Sequence, residues 1–532
     1  MRWPMKFQLS ETGPPLRCVS AVLILLVACF LRGFCLDIRP MHGDEAVHAY
    51  KFGRLLEENC YRYDPKEFHG PALNYFTLIP ARLAAISTYP ALTESILRIV
   101  PVIFGILLVV SPLLLANGLG KTTALIAAAI TAISPAFVFY SRYYIPEMLL
   151  VFFTFAVVIC GYRYVCSRNW VWALLTGVFA GLCCVTKETW VIAFGSMVFA
   201  LVIMMLARRQ IWKIQFSHLL LAILSVFVIW VLFYSSFFTN PAGLIDSIRG
   251  FKTYFGFAVN NQTHFHPWYY YLKLLIYNKA SMGPPWTEAA VVILAGIGIA
   301  LIVTRKGIGD SDSRLLDFLA VFTVLMLVIY SALPYKTPWC LLSFYYGMIL
   351  LAAIGVVAIL NLLGRILSRL VVSAFLATIA IDLVVQAFTA SCISYTDPAN
   401  PYVYAHPTKD VLKISERFEK ISQALPAGRE TPIWVVCPGG DYWPLPWYLR
   451  GFKNVGWCSD VNEVRLPASI AIVSAGLENT LIERLYNLSP AGGKNLYVPL
   501  FETYTELRPG IELKALITKD LLDEFQKSNA GH

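Results

Sequence analysis

Charge is scarce in this sequence. Only 14% of its 532 residues are charged, against about 25% in soluble domains. With 57% hydrophobic residues and a mean hydropathy of +0.62, that shortage excludes a soluble globular protein and implies a multi-span membrane protein. Other signatures are missing too. The 12 cysteines contain no CxxC pair and no zinc-ligand spacing. Most lie in apolar runs, as Cys29, Cys160, Cys183 and Cys184 do, where a free thiol acts as a small hydrophobe. Cys437 and Cys458 read either as a pair, if their segment is extracytoplasmic, or as two free thiols. There is no internal repeat and no low-complexity segment. No small-x-small cleavage motif follows the apolar run 18–31, where the chain reads LRGFCLDIRP. This run, preceded by Arg2, Lys6 and Arg17, is therefore expected to persist as a first span with the amino end in the cytoplasm. The net charge of +10 needs no nucleic-acid partner, because Lys and Arg collect on the cytoplasmic side of membrane proteins.

What is present is a series of apolar runs near the 20-residue length of a bilayer crossing. Beyond the first they cover 97–118, 121–140, 147–165, 170–187, 189–207, 217–237, 286–304, 315–333, 338–360 and 370–390. The stretch 70–86, GPALNYFTLIPARLAAI, is shorter and holds Pro80 and Arg82. If it lies along the interface, one set of connections carries Lys121, Arg163, Arg168, Arg208, Arg209, Lys213, Arg305, Lys306, Arg314, Arg365 and Arg369. The short connections on the other side hold only Arg142, Lys187 and Lys336. That is the positive-inside pattern, and making 70–86 a span would invert it. The loop 238–283, with Arg249, Lys252, Lys273 and Lys279, runs against the bias, as longer loops do. The expected fold is a polytopic all-α membrane protein of about eleven spans over 1–390. Its outer loops are 37–96, with interfacial helices, and 238–283. A small extracytoplasmic α/β domain follows over 391–532. In that tail, TKDVLKISERFEKISQAL has helical period, while PIWVVC and ASIAIVSA read as buried strands.

On this topology the unusual polar residues share one face. They are Asp44 and Glu45 in HGDEAVHAYK, Arg142 and Glu147 in YSRYYIPEM, Lys187 and Glu188 in TKETW, His264, His266 and Lys273 in HFHPWYYYLK, and Lys336 in LPYKTPW. Each has a plain reading as well. Asp-Glu is what a helix start looks like, Arg142 and Lys187 could snorkel, the two histidines could be ordinary loop residues, and the Tyr and Trp clusters suit an interfacial belt. Their convergence on one face supports function, since charges near a bilayer are costly to keep. Single cations at headgroup depth suit a phosphate, and carboxylates beside them suit acid–base work or a metal. The pattern points to a phosphate-bearing lipid substrate.

The order of these motifs carries a resemblance. GDE follows the first span. HGPALNYF, ALTESILRIVPVIFGILLV, SPAFVFYSRYYIPEMLLVFF, GLCCVTKETWVIAF and HPWYYYLKLL come after it. Over about 15–360 the chain resembles the polytopic C-type (GT-C) glycosyltransferases, closest to the protein O-mannosyltransferase/aminoarabinose-transferase group and, within it, to a prokaryotic flippase-associated branch. The tail motif DYWPLPWYLRG resembles the soluble tails of that branch. The resemblance implies an inverting transfer of a sugar from a polyprenyl-phosphate donor to a hydroxyl of a protein, lipid or glycan, at the outer leaflet of the cell (plasma or inner) membrane. It implies catalytic roles for Asp44, Glu45 and Glu147. Lipid-phosphate or sugar contacts are implied for Arg142, Lys187, Glu188, His69, His266 and Lys336.

Two departures narrow it. There is no Asp-x-Asp in the second outer loop and no Trp-Trp-Asp in the tail, which disfavours transfer of whole oligosaccharides to Asn. His69 begins His-Gly-Pro where the family motif reads His-Pro-Pro. Metal use stays open: His42, Asp44, Glu45 and His48 are ligand types for a divalent cation, and the superfold has members of both kinds. The alternative function is a non-catalytic or flippase-associated component that handles polyprenyl-linked sugars.

Overall fold

The computed structural model describes residues 14–66, 69–209, 214–260, 264–279, 283–309, 311–489 and 495–530; Arg2, Lys6 and Lys213 lie outside them. All eleven apolar runs fold as helices. Among the described residues, eight are long and apolar enough to cross a membrane: Leu16–Gly33, Glu94–Leu114, Glu147–Ser167, Trp190–Arg208, Phe216–Tyr234, Ser313–Ala332, Pro338–Leu362 and Ile366–Ile393. A ninth is the bent pair Lys121–Ile133 and Pro135–Ser141, and Trp170–Cys184 and Ala289–Thr304 are shorter. The chain is a multi-span membrane protein. The ambiguous stretch forms the 12-residue helix Ala72–Leu83, which at 1.5 Å per residue is too short to cross.

Local chemistry explains the breaks. Asn169 caps Trp170–Cys184 by accepting from the Val171 N–H at 2.9 Å, and Asp312 caps Ser313–Ala332 through the Arg314 N–H at 2.9 Å. The 61° bend falls at Ser134, ahead of Pro135, whose ring has no N–H and crowds the preceding turn. Buried Glu288 holds this bend. It accepts from Ser134 Oγ at 2.6 Å, the Ala136 N–H at 3.0 Å, the Tyr345 hydroxyl at 2.8 Å and the Tyr402 hydroxyl at 2.7 Å. One carboxylate thus ties together the bend and the helices beginning at Ala289 and Leu342. Glu288→Ala leaves four donors without their acceptor, at about 1–3 kcal/mol for each buried group. It is expected to lower the thermal midpoint of the purified protein sharply, and Glu288→Gln, which keeps one acceptor oxygen, to lower it less. Elsewhere small residues let helices close up: a Cβ on Gly298 would stand 2.1 Å from Leu351 O, and one on Gly355 2.4 Å from Leu294 O.

The chain divides into two compact units. The first comprises 1–36, 58–85 and 95–404 and contains the apolar helices. The second comprises 37–57, 86–94 and 405–532. Its centre is a mixed sheet of β1 (Ile433–Val436), β2 (Val455–Cys458), β3 (Ile470–Ser474), β4 (Tyr497–Pro499), β5 (Glu506–Arg508) and β6 (Ile511–Thr518), in the order β2-β1-β3-β6-β4, with β5 on β6. β1 runs parallel to β2 and β3; β6 is antiparallel to β3, β4 and β5. Strand alternation sends Ile433, Val435 and Cys437 to one face with Val411, Ile414 and Phe418 of helix Asp410–Ala424. Val436, Cys458 and Val473 pack on the other with Leu481 and Leu485 of helix Glu478–Leu488. The predicted amphipathic helix and both predicted strands are present. Cys437 and Cys458 are both free, and the pairing considered for them is not made. They belong to opposite faces of the sheet, joined only through the backbone bond from Cys437 N to Cys458 O at 3.0 Å.

Candidate functional site

The second unit carries the acidic pair. Helix Gly43–Glu58 begins just after His42, and the pair divides between two environments. Glu45 is fully buried. Its Oε1 takes a hydrogen bond from Arg39 at 3.0 Å and its Oε2 one from the His42 N–H at 3.0 Å, the reach-back of a capping box. Asp44 is exposed and has no hydrogen-bond or ion-pair partner for its carboxylate among the described residues. Its backbone N–H donates to His42 Nδ1 at 3.0 Å. Adjacent carboxylates are therefore one fixed and one available.

What holds this helix is a motif the sequence reading could not place. DYWPLPWYLRG packs against 37–57 and 86–94 within the same unit. The Tyr448 hydroxyl accepts from Met41 N at 2.9 Å. Trp447 Nε1 donates to Glu94 at 2.7 Å, and Arg450 stacks 3.7 Å over the Trp447 ring while donating to Leu92 O at 2.8 Å. Tyr89 meets the Trp447 ring at 6.0 Å, and its N–H donates to Glu57 at 2.7 Å. Among the described residues no group of three or more His, Cys, Asp or Glu side chains is arranged to hold a metal ion. Glu45 and His42 Nδ1 are spent on the helix start, so His42, Asp44, Glu45 and His48 do not fit a metal, and no step is routed through one.

The first unit carries the remaining candidates. Glu147 opens the helix Glu147–Ser167, and Lys187 lies in the short turn between Trp170–Cys184 and Trp190–Arg208. The two form a buried ion pair through Glu147 Oε1. Among the described residues Glu147 Oε2 is buried with no partner, and Glu147 is the only hydrogen-bond partner of the Lys187 ammonium. Burial works to lower Lys187, but the charge of Glu147 outweighs it and holds the ammonium well above its ordinary range. Next to it, Glu188 is buried and takes His69 on both oxygens, from the backbone N–H at 2.8 Å and with Nδ1 at 3.0 Å. The Tyr63 hydroxyl adds a longer bond at 3.4 Å.

His-Gly-Pro has a geometric reason. Gly70 N donates to Thr186 O at 3.1 Å, and Ala72 N to Val185 O at 2.9 Å, so 69–72 lies along the Lys187 turn. Proline at 70 could not donate. A Cβ there would stand 2.1 Å from Val185 O. Gly70→Ala is thus expected to displace His69 from Glu188 and lower the thermal midpoint, with Gly70→Pro worse. Burial acts to raise the Glu188 carboxyl, but the His69 bond and charge prevail and hold it below its ordinary value. A carboxyl lowered in the folded state contributes stability that is complete above the unfolded value, about 4.3, and is lost as pH falls through the folded one. The melting advantage of wild type over Glu188→Gln should therefore shrink below about pH 4.

Two expected phosphate contacts are engaged by backbone. Arg142 is buried and donates to Leu31 O, Arg32 O, Phe34 O and Cys35 O at 3.3, 3.2, 2.5 and 2.7 Å, closing the carboxyl end of the first helix. Lys336 is buried and donates to His266 O at 3.0 Å and to Leu333 O. The segment 264–266 pairs with 334–336 through His266 N to Pro334 O at 3.2 Å and Lys336 N to His264 O at 3.0 Å. His264 Nδ1 and His266 Nε2 both meet the Tyr404 hydroxyl, at 2.6 and 3.3 Å. Burial, then the charges of His264 and Lys336, push His266 below its usual value.

Residues 80–242 match the family model of dolichyl-phosphate-mannose-protein mannosyltransferases; that span includes Arg142, Glu147, Lys187 and Glu188. No curated protein matches the chain. Solved structures do. ArnT from Cupriavidus metallidurans, in the apo state, superposes with a TM-score of 0.64 at 15% identity, covering 94% of this chain and 98% of that one. The same protein bound to undecaprenyl phosphate gives 0.61 at 14% identity, with 93% and 97% covered. The archaeal oligosaccharyltransferase AglB from Archaeoglobus fulgidus, in complex with an inhibitory peptide and a dolichol-phosphate, gives 0.55 at 13% identity, with 96% and 77% covered. The chain has the C-type (GT-C) membrane glycosyltransferase fold and, within it, resembles the protein O-mannosyltransferase/aminoarabinose-transferase group.

Proposed function

We propose that this protein transfers a single sugar from a polyprenyl-phosphate-linked donor to a hydroxyl acceptor, with inversion, at the outer leaflet of the cell membrane. On this reading the N-terminus is cytoplasmic and the 391–532 region extracytoplasmic. The observation that carries the reading is the buried Lys187–Glu147 pair in a connection between apolar helices. Two desolvated charges at such a place cost several kcal/mol each, and charges of that kind mark function. Glu147 takes one of the three donors of the ammonium. The other two are directed to the oxygens of the lipid phosphate.

The chemistry follows from charge. The bond between the anomeric carbon and the phosphate oxygen breaks, and its electron pair leaves with the phosphate. The acceptor oxygen forms the new bond from the opposite face, and its proton passes to a carboxylate. Asp44, exposed and unengaged, is that base; Glu45 and Arg39 position it by setting the start of its helix. Lys187 stabilises the charge that grows on the phosphate. Glu147 and the Glu188–His69 pair hold Lys187 and its turn in place. Arg142, Lys336 and His266 act by shaping the connections that carry these groups.

The deciding experiment supplies the purified protein in lipid with a panel of polyprenyl-phosphate hexoses and pentoses, with and without protein, lipid and glycan hydroxyl acceptors, and measures release of free polyprenyl phosphate. Release that requires the acceptor hydroxyl identifies the transferase and its donor. Donor binding with no release from any member of the panel would overturn the enzymatic reading in favour of a component that only handles such lipids.

A further inference from the structure

The first unit contains a cavity of about 270 Å³ among five apolar helices, at the opposite ends of those helices from Glu147 and Lys187. Val158, Gly161, Ala173, Met197, Leu201 and Phe318 line it. Its rim is formed by the last turn of Glu147–Ser167 and the first turns of Trp170–Cys184, Phe216–Tyr234 and Ser313–Ala332. This is the end at which basic residues gather. Arg314 lines the cavity itself, and Arg163, Arg168, Arg208 and Arg209 lie on the same helix ends. Among the described residues Asp312 and Asp317 are the acids there, and they are shared: Asp312 pairs with Arg314 at 2.8 Å, and Asp317 with both Arg208 and Arg305. Positive charge is left in excess. His218, also on the rim, has a buried Nδ1 with no hydrogen-bond partner among the described residues.

We propose that this cavity is a binding site for one acyl chain of an anionic phospholipid drawn from the leaflet at the basic ends of the helices. An apolar cavity inside a bundle that crosses a bilayer is in contact with hydrocarbon, not water. Basic pockets between membrane helices take anionic head groups, and the arginines stand where a head group would lie if its chain entered between the helices. A lipid ester or phosphate oxygen would accept from the His218 ring nitrogen in the tautomer that protonates Nδ1. A neutral or zwitterionic lipid would fill the cavity without satisfying this rim. The site is separate from the proposed reaction at Lys187 and does not depend on it.

The test uses the full chain in lipid nanodiscs with three photoreactive probes: phosphatidylglycerol and phosphatidylcholine carrying the same diazirine acyl chain, and a diazirine-labelled polyprenyl phosphate. Labelled peptides are mapped by mass spectrometry. The site predicts labelling of 157–165 and 197–201 by phosphatidylglycerol, several-fold above phosphatidylcholine. Gly161 gives the matching variant. It lines the cavity and a Cβ there meets nothing within 4 Å, so Gly161→Leu should fill the space and cut the labelling several-fold. Equal labelling by both phospholipids, labelling of the same peptides by the polyprenyl probe instead, no labelling, or labelling unchanged by Gly161→Leu would each overturn the proposal. Should Gly161→Leu fail to fold, the comparison of the three probes on the wild type still decides.

Discussion

Asp44→Asn protein is expected to purify, melt as the wild type does and release no more than about 10⁻²–10⁻⁴ of the wild-type polyprenyl phosphate. The two halves of this expectation have separate physical grounds. Asp44 is exposed and its carboxylate engages nothing among the described residues, so its replacement removes no stabilising contact; surface changes of this kind stay within about 0.5 kcal/mol. A base that takes the acceptor proton in the transition state, in contrast, cannot be replaced by an amide. The neighbouring position gives the contrast. Glu45→Gln weakens the Arg39 pair and the bond to His42 N, and should lower the melting temperature along with the activity. Full turnover by Asp44→Asn would remove Asp44 from the mechanism and direct attention to Glu147, whose Oε2 is buried without a partner among the described residues.

Lys187→Met should damage stability and activity together. It leaves Glu147 buried with neither oxygen paired, which costs about 3–5 kcal/mol, and it removes the cation assigned to the lipid phosphate. Stability and catalysis are then confounded, and a second substitution separates them. Lys187→Met/Glu147→Gln removes both charges together. Replacing a buried pair by neutral groups of similar volume is close to neutral for stability, so the double variant should regain most of its thermal midpoint. Its release of polyprenyl phosphate should remain at background. If the double variant regains both, the pair is only structural, and the phosphate contact must be sought elsewhere among the first unit's cations.

Much of the architecture was legible because it depends on short-range pattern. Apolar runs near 20 residues mark helices wherever they occur, since an unsatisfied backbone group is too costly in hydrocarbon. The charge bias made 70–86 a non-crossing segment, and it is a helix of 12 residues. The amphipathic period of 410–424 and the two apolar strands were equally local signals. Glu147, Lys187 and Glu188 were read onto one face and His69 came from the family motif; the structure pairs Glu147 with Lys187 and Glu188 with His69.

Tertiary structure decided what each charge is for. Asp44 and Glu45 are indistinguishable by type and adjacent in sequence, yet one is exposed and the other buried on Arg39, because helical geometry turns successive side chains about 100° apart. Arg142 donates to backbone carbonyls at the end of the first helix from more than a hundred residues away. Cys437 and Cys458 share a backbone bond but lie on opposite faces of the sheet, a matter of register that spacing does not encode. The aromatic tail motif found its purpose only when Trp447, Tyr448 and Arg450 were seen to hold 37–57 and 86–94. Glu288, the four-bonded hub of the bend, gave no signal at all, since its partners come from three distant parts of the chain. Sequence by itself determined which segments are helices and which residues are chemically able to act. Only the fold, by choosing non-local partners, decided which of the described carboxylates and cations are engaged and which are not.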